Sequence, residues 1–321
     1  MIVVTGAAGF IGSAMLALLE EQGYGDLVAV DAFDVRAKEG NLQGKKLREK
    51  IHRDAFPAWL NTHGASVQII LHIGARTDTA EFDDAVLNAL NLDYSKTLWA
   101  LCVKHSIPFI YASSAATYGD GAFGFDDTVQ GLARLQPLNP YGWSKHHFDI
   151  WVQEQAITPP FWAGFKFFNV FGPNEYHKQR MASVVYHAYN QIQQGGNVRL
   201  FKSHKADYQD GMQLRDFIYV KDVVKVLLYF MEHRKYSDLY NLGTGTARSF
   251  LDLAKATFDA MKQEHRIEYV DIPADIREKY QYYTCANMHK LREAGYSAAF
   301  MTLEEGIKDY VSHYLIPETY Y

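Results

Sequence analysis

The sequence predicts an α/β protein with a doubly wound parallel sheet, followed by a smaller mixed α/β unit. Three observations support this fold class. Short apolar runs alternate with longer amphipathic runs, a glycine-rich turn follows the first apolar run, and an acidic residue ends the second. Continuous apolar strands separated by helices are typical of a parallel sheet covered on both faces, and the glycine-rich turn is typical of the Rossmann type.

The predicted elements follow one another in the order that such a sheet requires. Apolar runs of strand length predict Met1–Thr5, Leu27–Asp31, Val67–Ile73, Phe109–Ser113 and Trp162–Phe168 as strands. Longer runs predict helices at Phe10–Gln22, Ala85–His105, Tyr141–Gln155 and Met181–Gln194. The pattern loosens beyond Asn169, so we place a domain boundary near residue 168. We expect Asp216–Glu232 to pack back onto the first domain, because its strand-then-helix pattern matches that domain.

The composition excludes several classes of protein. The chain has 321 residues, 32 basic against 37 acidic, and a net charge of −5, which excludes nucleic-acid binding through bulk positive charge. The sequence opens without a signal peptide, and later apolar runs such as Val223–Met231 are too short to span a membrane. Two cysteines, Cys102 and Cys285, predict neither a disulfide framework nor a metal site. We therefore expect a soluble cytoplasmic protein.

Three glycines, Gly6, Gly9 and Gly12, lie between the first strand and the first helix. Glycine lets the backbone N–H groups of such a turn approach a pyrophosphate at the helix N-terminus. Asp31 ends the second strand about 20 residues later, where an acidic residue binds the ribose of a dinucleotide. The sequence thus predicts that residues 1–168 form a dinucleotide-binding domain and that residues 169–321 mainly bind substrate.

The residues alone leave the choice between NAD and NADP open. Asp31 favours NAD, because a carboxylate accepts from a ribose 2′-hydroxyl and repels a 2′-phosphate. Arg36, Lys38 and Arg53 lie just beyond that strand and favour NADP, since they would neutralise a phosphate. These basic residues are equally consistent with a solvated loop surface.

Tyr141 and Lys145 are four residues apart and hence on one face of the predicted helix. A lysine ammonium near a phenol stabilises the phenolate and lowers its pKa, which suits the tyrosine for acid/base work on an alcohol. Ser114 follows the fourth strand, at the edge of the sheet where ligands bind, and we expect it to hydrogen-bond the reacting oxygen.

Several stretches together resemble a known family. They are the glycine turn, Tyr111–Gly119, Pro137–Lys145, Gly164–Lys178, Met181–Val184, Arg215–Val220 and Asn241–Gly245. These stretches are similar to the extended short-chain dehydrogenase/reductases and, more closely, to the ADP-L-glycero-D-manno-heptose 6-epimerases of lipopolysaccharide core assembly. The resemblance covers nearly the whole chain, and the region from His177 to Ser183 is the most particular to the heptose enzymes.

The resemblance implies epimerisation at carbon 6 of an ADP-heptose with tightly bound NADP, NAD being the alternative, through a transient aldehyde. It also implies a homo-oligomer, a pentamer in this family. Tyr141 and Lys178 match the acid/base residues for the two faces of the sugar, and Lys145 and Ser114 match supporting positions. The positions that match cofactor contacts are Gly6, Gly9, Phe10, Ile11, Gly12, Asp31, Ala32, Lys38, Arg53, Ile73, Gly74, Ala75, Arg76, Thr77, Asn91, Lys145, Val170 and Lys178. Those that match substrate contacts are Ser114, Asn169, Arg180, His187, Phe201, Lys202, Ser203, His204, Arg215 and Tyr280.

Three positions depart from the family pattern. Ala32 stands where a polar residue is expected, Arg180 stands where a small hydroxyl residue is expected, and Ala206–Met212 lengthens the loop before Arg215. Lys178 must be desolvated or lie near another cation, such as Lys145 or Arg180, to act as a base near neutrality.

Alternatives remain for the site and for the function. Arg215 would clamp a diphosphate or, alternatively, pair with Asp216. The nearest rival functions are those of a 4-epimerase, a 4,6-dehydratase or a reductase of the same superfamily. Alanines at 115 and 116 after Ser114 count against a dehydratase, which normally needs an acidic residue there. A non-enzymatic dinucleotide sensor is disfavoured by the intact Ser114, Tyr141 and Lys145.

Overall fold

The apolar runs of the first half of the chain form the strands of one large sheet. The structure is a computed structural model that describes residues 1–77, 83–277 and 280–321. Its strands are β1 (Ile2–Thr5), β2 (Leu27–Asp31), β3 (Glu49–His52), β4 (Ile69–His72), β5 (Phe109–Ser114), β6 (Trp162–Phe167), β7 (Asn169–Phe171), β8 (Val198–Phe201), β9 (Leu214–Tyr219), β10 (Asp238–Leu242), β11 (Ala247–Ser249) and β12 (Ile267–Val270). Seven of them form a parallel sheet in the order β10-β6-β5-β4-β1-β2-β3. The predicted Rossmann-type sheet is therefore confirmed.

The strand order reverses between β1 and β4, which are neighbours in the sheet although they are distant in the chain. From β1 the chain proceeds to β2 on one side, whereas from β4 it proceeds to β5 on the other. Ligands of open parallel sheets bind outside the carboxyl ends of the strands at such a point. The glycine turn after β1 and residues 73–77 after β4 lie on its two sides.

Helices follow most of the strands, and several begin at clear caps. They are α1 (Phe10–Glu21), α2 (Phe56–His63), α3 (Asp84–Leu87), α4 (Tyr94–His105), α5 (Val129–Leu132), α6 (Pro140–Gln153), α7 (Val184–Gly195), α8 (Val220–Glu232), α9 (Phe250–Ala260), α10 (Ala274–Arg277), α11 (His289–Glu293) and α12 (Leu303–Tyr310). Asn139 caps α6, because its Oδ1 accepts the N–H of Gly142 at 2.8 Å, and Pro140 takes the first helical position. Ser249 and Thr302 form capping boxes at α9 and α12.

The chain after residue 168 contributes to all three sheets. In the small mixed sheet, β9 pairs in parallel with β7 and antiparallel with β11, while β8 and β12 form a separate parallel pair. In contrast, β10 joins the large sheet beside β6, and α8 packs against α1. The segment Asp216–Glu232 is thus shared, since β9 belongs to the small sheet while α8 covers the large one. The division of the chain near residue 168 stays a prediction.

The predicted helix Ala85–His105 is interrupted in the structure. One turn of α3 leads into π-helical turns over Asn88–Asp93, and regular helix resumes in α4. Such π-helical segments occur often at functional sites, and Asn91, a predicted cofactor residue, lies in this one. The sequence analysis did not predict strand β3. It is an edge strand in which only Ile51 is buried, so its residues do not alternate between apolar and polar.

Gly12→Ala is expected to destabilise the protein, because a Cβ at this position would lie 2.1 Å from the carbonyl oxygen of Gly6. Overpacking of this kind costs about 1–3 kcal/mol of unfolding free energy, which a denaturant titration measures. Gly25→Ala is the matched control, since nothing lies within 4 Å of its added Cβ. Equal stability of the two variants would contradict the close approach.

Candidate active site

The glycine turn is pressed against the segment that follows β4. Gly6 has a positive φ of 66°, and a Cβ there would lie 2.6 Å from the Cα of Gly74. Gly9 is the first residue before α1 and provides no side-chain cap for the helix. The N-terminus of α1, with Phe10 and Ile11 in its first turn, therefore presents backbone N–H groups and a positive dipole end at the sheet edge.

Asp31 joins the end of β2 to the glycine turn. Its carboxylate accepts the N–H of Ala8 at 2.9 Å, the N–H of Ala32 at 2.8 Å and the ammonium of Lys38 at 3.0 Å. Arg53 is the residue after β3 and lies beside Asp31. Its backbone N–H donates to the carbonyl oxygen of Asp31 at 3.0 Å. The structure thus brings four predicted cofactor residues, Asp31, Ala32, Lys38 and Arg53, to one place.

A chain of hydrogen bonds fixes the segment after β4. Thr5 Oγ1 accepts the N–H of Gly74 at 3.1 Å and donates to His72 Nδ1 at 2.7 Å. His72 Nε2 donates to Ser95 Oγ at 2.9 Å, and Ser95 donates to the carbonyl of Asn91 at 2.6 Å. Burial, and then the charge of Lys145, lower the pKa of His72 to about 3, so that the imidazole is neutral.

Asn91 holds the backbone of the same segment. Its Oδ1 accepts the N–H of Arg76 at 2.8 Å, and its Nδ2 donates to the carbonyl of Arg76 at 3.0 Å and to Ser144 Oγ at 3.0 Å. Ile73, Gly74 and Ala75 are half-buried, whereas Arg76 and Thr77 are exposed. The buried amide of Asn91 therefore connects residues 73–77 to α6.

The start of α6 brings Tyr141 to Ser114. Gly142 allows this approach, since a Cβ there would lie 2.9 Å from the carbonyl oxygen of Ala116 in the turn after β5. The Ser114 hydroxyl accepts the N–H of Ala116 at 3.1 Å and lies near enough to the Tyr141 phenol to lower its pKa. The predicted pair is therefore assembled at the carboxyl edge of the sheet.

Lys145 lies one turn after Tyr141, and its ammonium is buried. Burial lowers the pKa of Lys145 to about 8, and the charge of Asp149 opposes this shift. The pKa of Tyr141 is raised, first by burial, while the hydrogen bond from Ser114 lowers it. The net shift of the Tyr141 pKa is thus upward, because loss of solvent outweighs the neighbouring groups, and the lowering of this pKa by Lys145 stays a prediction.

Behind this pair lies a buried salt bridge that the sequence analysis missed. Lys166 Nζ of β6 lies 2.7 Å from Asp149 Oδ2 of α6, and both side chains are fully buried. A lysine in the middle of an otherwise apolar strand, and an acid one turn after Lys145, are the signals that could have indicated it.

Lys178 lies in a short 3-10 helix, Tyr176–Met181, that a buried glutamate holds in place. Glu175 accepts from the N–H of Ser183 and from Ser183 Oγ at 2.6 Å, and from the N–H of Gly172 at 3.3 Å. Gln179 has a positive φ of 48°, which is uncommon for a residue with a side chain. The hydrogen bonds of Glu175 and the positive φ of Gln179 therefore define the conformation of this loop.

The ammonium of Lys178 lies 5.3 Å from the ring centre of Phe10, above the start of α1. Burial lowers the pKa of Lys178, and the charge of Glu175 opposes this shift. Burial, followed by the charges of Lys38 and Lys178, lowers the pKa of His177 to about 4. Desolvation, rather than the charge of Lys145 or Arg180, thus lowers the pKa of Lys178. The charges of Lys38 and Lys178 both act on His177, beside the glycine turn.

Arg215 is a buried guanidinium whose polar contacts are backbone carbonyls. It donates to the carbonyl of Leu214 at 2.8 Å and to that of Gln281, and it lies 5.5 Å from the ring centres of Phe250 and Tyr280. Within the part of the chain that the structure describes, it forms no salt bridge. Asp216 instead accepts the N–H groups of Thr244, Gly245 and Ala286, so the alternative Arg215–Asp216 pair is wrong.

Part of the segment 201–204 lies close to Arg215. Phe201 contacts Tyr280 edge-on at 5.6 Å, and Tyr280 contacts Arg215. The side chains of Lys202 and His204 lie 3.8 and 3.9 Å from Asp271, and Ser203 binds Asp210 through its N–H at 2.7 Å. Tyr208, in the loop 206–212, lies 5.1 Å from the ring centre of Tyr282, which in turn lies 5.6 Å from that of Tyr280.

The remaining predicted residues lie apart from these contacts. Asn169 is exposed and Val170 half-buried in β7, and Arg180 is exposed in the Lys178 loop. His187 is half-buried on α7 and contacts the ring of Tyr186 at 6.3 Å. The sequence analysis also missed Asn41, which donates to the carbonyls of Ala8 and Asn174 at 2.9 and 3.0 Å.

Comparison with known proteins identifies the class. The family model of the NAD dependent epimerase/dehydratase family matches residues 2–243, so the chain belongs to that family. A protein of Fusobacterium nucleatum named ADP-L-glycero-D-manno-heptose-6-epimerase is 44% identical over 331 residues and covers 100% of both chains. One of the same name from Nitratidesulfovibrio vulgaris is 47% identical and covers 98% of both. The crystal structure of the Helicobacter pylori enzyme of that name has a TM-score of 0.82 at 27% identity, covering 97% of this chain and 95% of its own. The resemblance predicted from the sequence is confirmed.

Arg215→Lys is expected to weaken binding of ADP by about tenfold or more, because a lysine cannot reproduce the bidentate geometry of a buried guanidinium. Isothermal titration calorimetry measures this change. Arg199→Lys is the control, since Arg199 is exposed on β8. ADP binding that is equal in both variants would show that Arg215 only supports the backbone of Gln281.

Proposed function

We propose that the protein converts ADP-D-glycero-D-manno-heptose to ADP-L-glycero-D-manno-heptose by transient oxidation to a C6 aldehyde, a step of lipopolysaccharide core biosynthesis. The observation that carries this proposal is the proximity of Ser114 to Tyr141 at the carboxyl edge of the sheet, with the buried Lys145 one turn further along α6. Full-length relatives that carry the name of this enzyme support the choice of substrate.

The residues at the switch point fit a nicotinamide dinucleotide, and we assign NADP rather than NAD. The contact of Gly6 with Gly74 leaves no room for a Cβ, as the backbone cradle of a pyrophosphate requires. Beside it, a cavity of about 490 Å³ is lined by Ala8 and by Lys38 and Lys50, whose charges suit a 2′-phosphate. These residues would hold NADP, which would supply reversible hydride transfer at C6.

Tyr141 and Ser114 act at the C6 oxygen on one face. Ser114 positions the oxygen, and Tyr141 serves as its acid/base in this orientation only, taking the proton when the alcohol is oxidised. Burial raises the pKa of Tyr141, so the phenol needs a nearby cation to lose its proton. Lys145, with a pKa of about 8, is mostly protonated at neutral pH and supplies that charge.

Lys178 acts at the opposite face of the sugar. A rigid tyrosine on α6 cannot reach the C6 oxygen in both orientations of the aldehyde, whereas Lys178 approaches from the loop after Gly172. Burial lowers the pKa of its ammonium, which makes the neutral amine more accessible near neutrality. The ammonium of Lys178 lies over the ring of Phe10, beside the glycine turn.

The nucleotide and sugar are held by residues of the second half of the chain. Arg215 binds the diphosphate, and Tyr280 and Phe201 form an aromatic wall beside it. We assign further substrate contacts to Asn169, Arg180, His187, Lys202, Ser203 and His204 because they match the positions of the resemblance.

We also propose a cytoplasmic location and a homo-oligomer, a pentamer by family resemblance. In the described parts of the chain, no helix has the length and apolar character needed to cross a membrane.

The direct test has two parts. The bound cofactor is released by denaturation and identified by mass, and the same sample is incubated with ADP-D-glycero-D-manno-heptose while the C6 epimer ratio is followed. We expect NADP and conversion at C6. Interconversion at C4 of a UDP-hexose without reaction at C6 would overturn the proposal and favour a 4-epimerase, and bound cofactor without any turnover would favour a dinucleotide sensor.

Lys38→Ala and Arg53→Ala are each expected to weaken NADP more than NAD. Each loses a charge-assisted contact of about 1.5–3 kcal/mol to the 2′-phosphate, and the first also leaves Asp31 without its ammonium partner. Fluorescence titration with both cofactors measures the ratio, with Lys46→Ala, an exposed neighbour, as the control. An equal loss for both cofactors would show that these residues only support the loop.

Tyr141→Phe and Lys178→Met are each expected to reduce the epimerisation rate by about two or more powers of ten, in line with acid/base contributions. Each variant should still fold, retain NADP and dismutate an analogue that already bears a C6 aldehyde, because the other residue serves one face. Tyr236→Phe and Lys308→Met, both exposed, are the controls. A Lys178→Met variant with near wild-type rate would show that the lysine only contacts cofactor or phosphate.

A further inference from the structure

The salt bridge between Asp149 and Lys166 joins the elements that carry Ser114 and Tyr141. Asp149 Oδ2 accepts from Ser113 Oγ of β5 at 2.6 Å and from Lys166 Nζ of β6 at 2.7 Å. Asp149 Oδ1 accepts from Tyr111 Oη of β5 at 3.2 Å, and Lys166 donates also to Thr117 Oγ1 at 2.7 Å. The carboxylate of Asp149 therefore connects α6 to β5 and β6, and the ammonium of Lys166 adds the turn after β5.

The hydrogen-bond network of Asp149 lies next to Ser114, Tyr141 and Lys145, the residues of the proposed chemistry. Ser113 precedes Ser114, and Asp149 lies on α6 one turn beyond Lys145 and two turns beyond Tyr141. The relative placement of Ser114 and Tyr141 depends on how α6 sits against the end of β5. Gly142 and the backbone of Ala116 fix one point of that contact, and Asp149 fixes a second point one and a half to two turns away.

We propose that Asp149, held by Lys166, is a positioning residue of the active site. It aligns Tyr141 with Ser114, and it places a buried negative charge one helical turn from the buried ammonium of Lys145. This inference rests on the proposed function for its kinetic part only.

The electrostatic part follows from the groups around Lys145. From β4 the neutral imidazole of His72 faces it, and from its own helix the charge of Asp149 does. Around Asp149 itself lie Lys166 of β6 and His146 of α6, whose pKa burial and then Lys166 lower to about 4, so that this imidazole is also neutral. Asp149 is thus the one negative charge that the structure brings to bear on Lys145 among the described residues.

Substitutions of the two partners should therefore act differently on Lys145. Asp149→Asn removes the opposing charge, so the pKa of Lys145 falls below its wild-type value of about 8. Lys166→Gln leaves the carboxylate less neutralised, so the Lys145 pKa stays where it is or rises. A network that served only stability would leave the Lys145 pKa unchanged in both variants.

The experiment is a pH titration of the full-length protein labelled with [¹³C]lysine, in which the Lys145 resonance is identified by its loss in Lys145→Met. Steady-state kinetics are measured on the same proteins. We expect Asp149→Asn to lower kcat about tenfold or more and Lys166→Gln to lower it likewise, with KM unchanged, because both side chains are buried away from ligand. Asp149→Glu should recover most of kcat. Lys221→Gln breaks a 2.7 Å salt bridge to Asp309 outside the site and is the matched control with wild-type kcat.

Thermal unfolding establishes which variants fold. Ser113→Ala is the milder variant, since it removes one donor to Asp149 and leaves the salt bridge intact, and we expect a several-fold fall in kcat. A folded Asp149→Asn protein with the wild-type Lys145 pKa and kcat would overturn the proposal. If Asp149→Asn does not fold, a Ser113→Ala protein with wild-type kcat would overturn it instead. The titration needs no turnover, so an inactive wild-type protein would refute the proposed function and leave the role of Asp149 to be decided by the Lys145 pKa.

Discussion

The close contact between the glycine turn and the segment after β4 is the constraint on which the rest of the site depends. Gly6 meets Gly74 at a distance that no Cβ permits, and Gly12 meets the carbonyl of Gly6 in the same way. These contacts place the N-terminus of α1 at the point where the strand order reverses. Because α8 packs on α1 and leads out of the small sheet, the same constraint also sets where the second half of the chain lies.

Burial of positive charge is the second common feature. Lys145, Lys178 and Arg215 all have their pKa lowered by loss of solvent. In the described residues none of the three forms a salt bridge, although Asp149 and Glu175 act on the two lysines through their charges. A buried cation without an ionic partner is costly unless a ligand supplies the missing charge. The arrangement therefore suits a substrate and a cofactor that both carry phosphates.

The sequence was informative where backbone geometry limits the residue type. Leu27–Asp31 was predicted with its observed bounds, and the glycine turn lies between the first strand and the first helix, as predicted. The sequence was less informative about pKa shifts and buried ion pairs, because burial depends on elements that are distant in the chain. The raised pKa of Tyr141, the neutral His72 and the Asp149–Lys166 salt bridge all depend on the packing of α6 against β4, β5 and β6. The π-helical turns around Asn91 cannot be recognised from the spacing of apolar residues either, because Asn91 is held by a hydrogen bond from the backbone of Arg76.

The central claim is that the hydrogen removed from C6 is the one returned to it. Epimerisation of ADP-D-glycero-D-manno-heptose in D₂O, followed by mass spectrometry and proton NMR of the product, tests this claim most directly. Hydride transfer through a bound nicotinamide would involve no exchange with solvent, so the product should have its C6 configuration inverted and contain no deuterium at C6. Deuterium at C6 in the product would contradict the account, because it would indicate removal of C6 hydrogen as a proton rather than as a hydride.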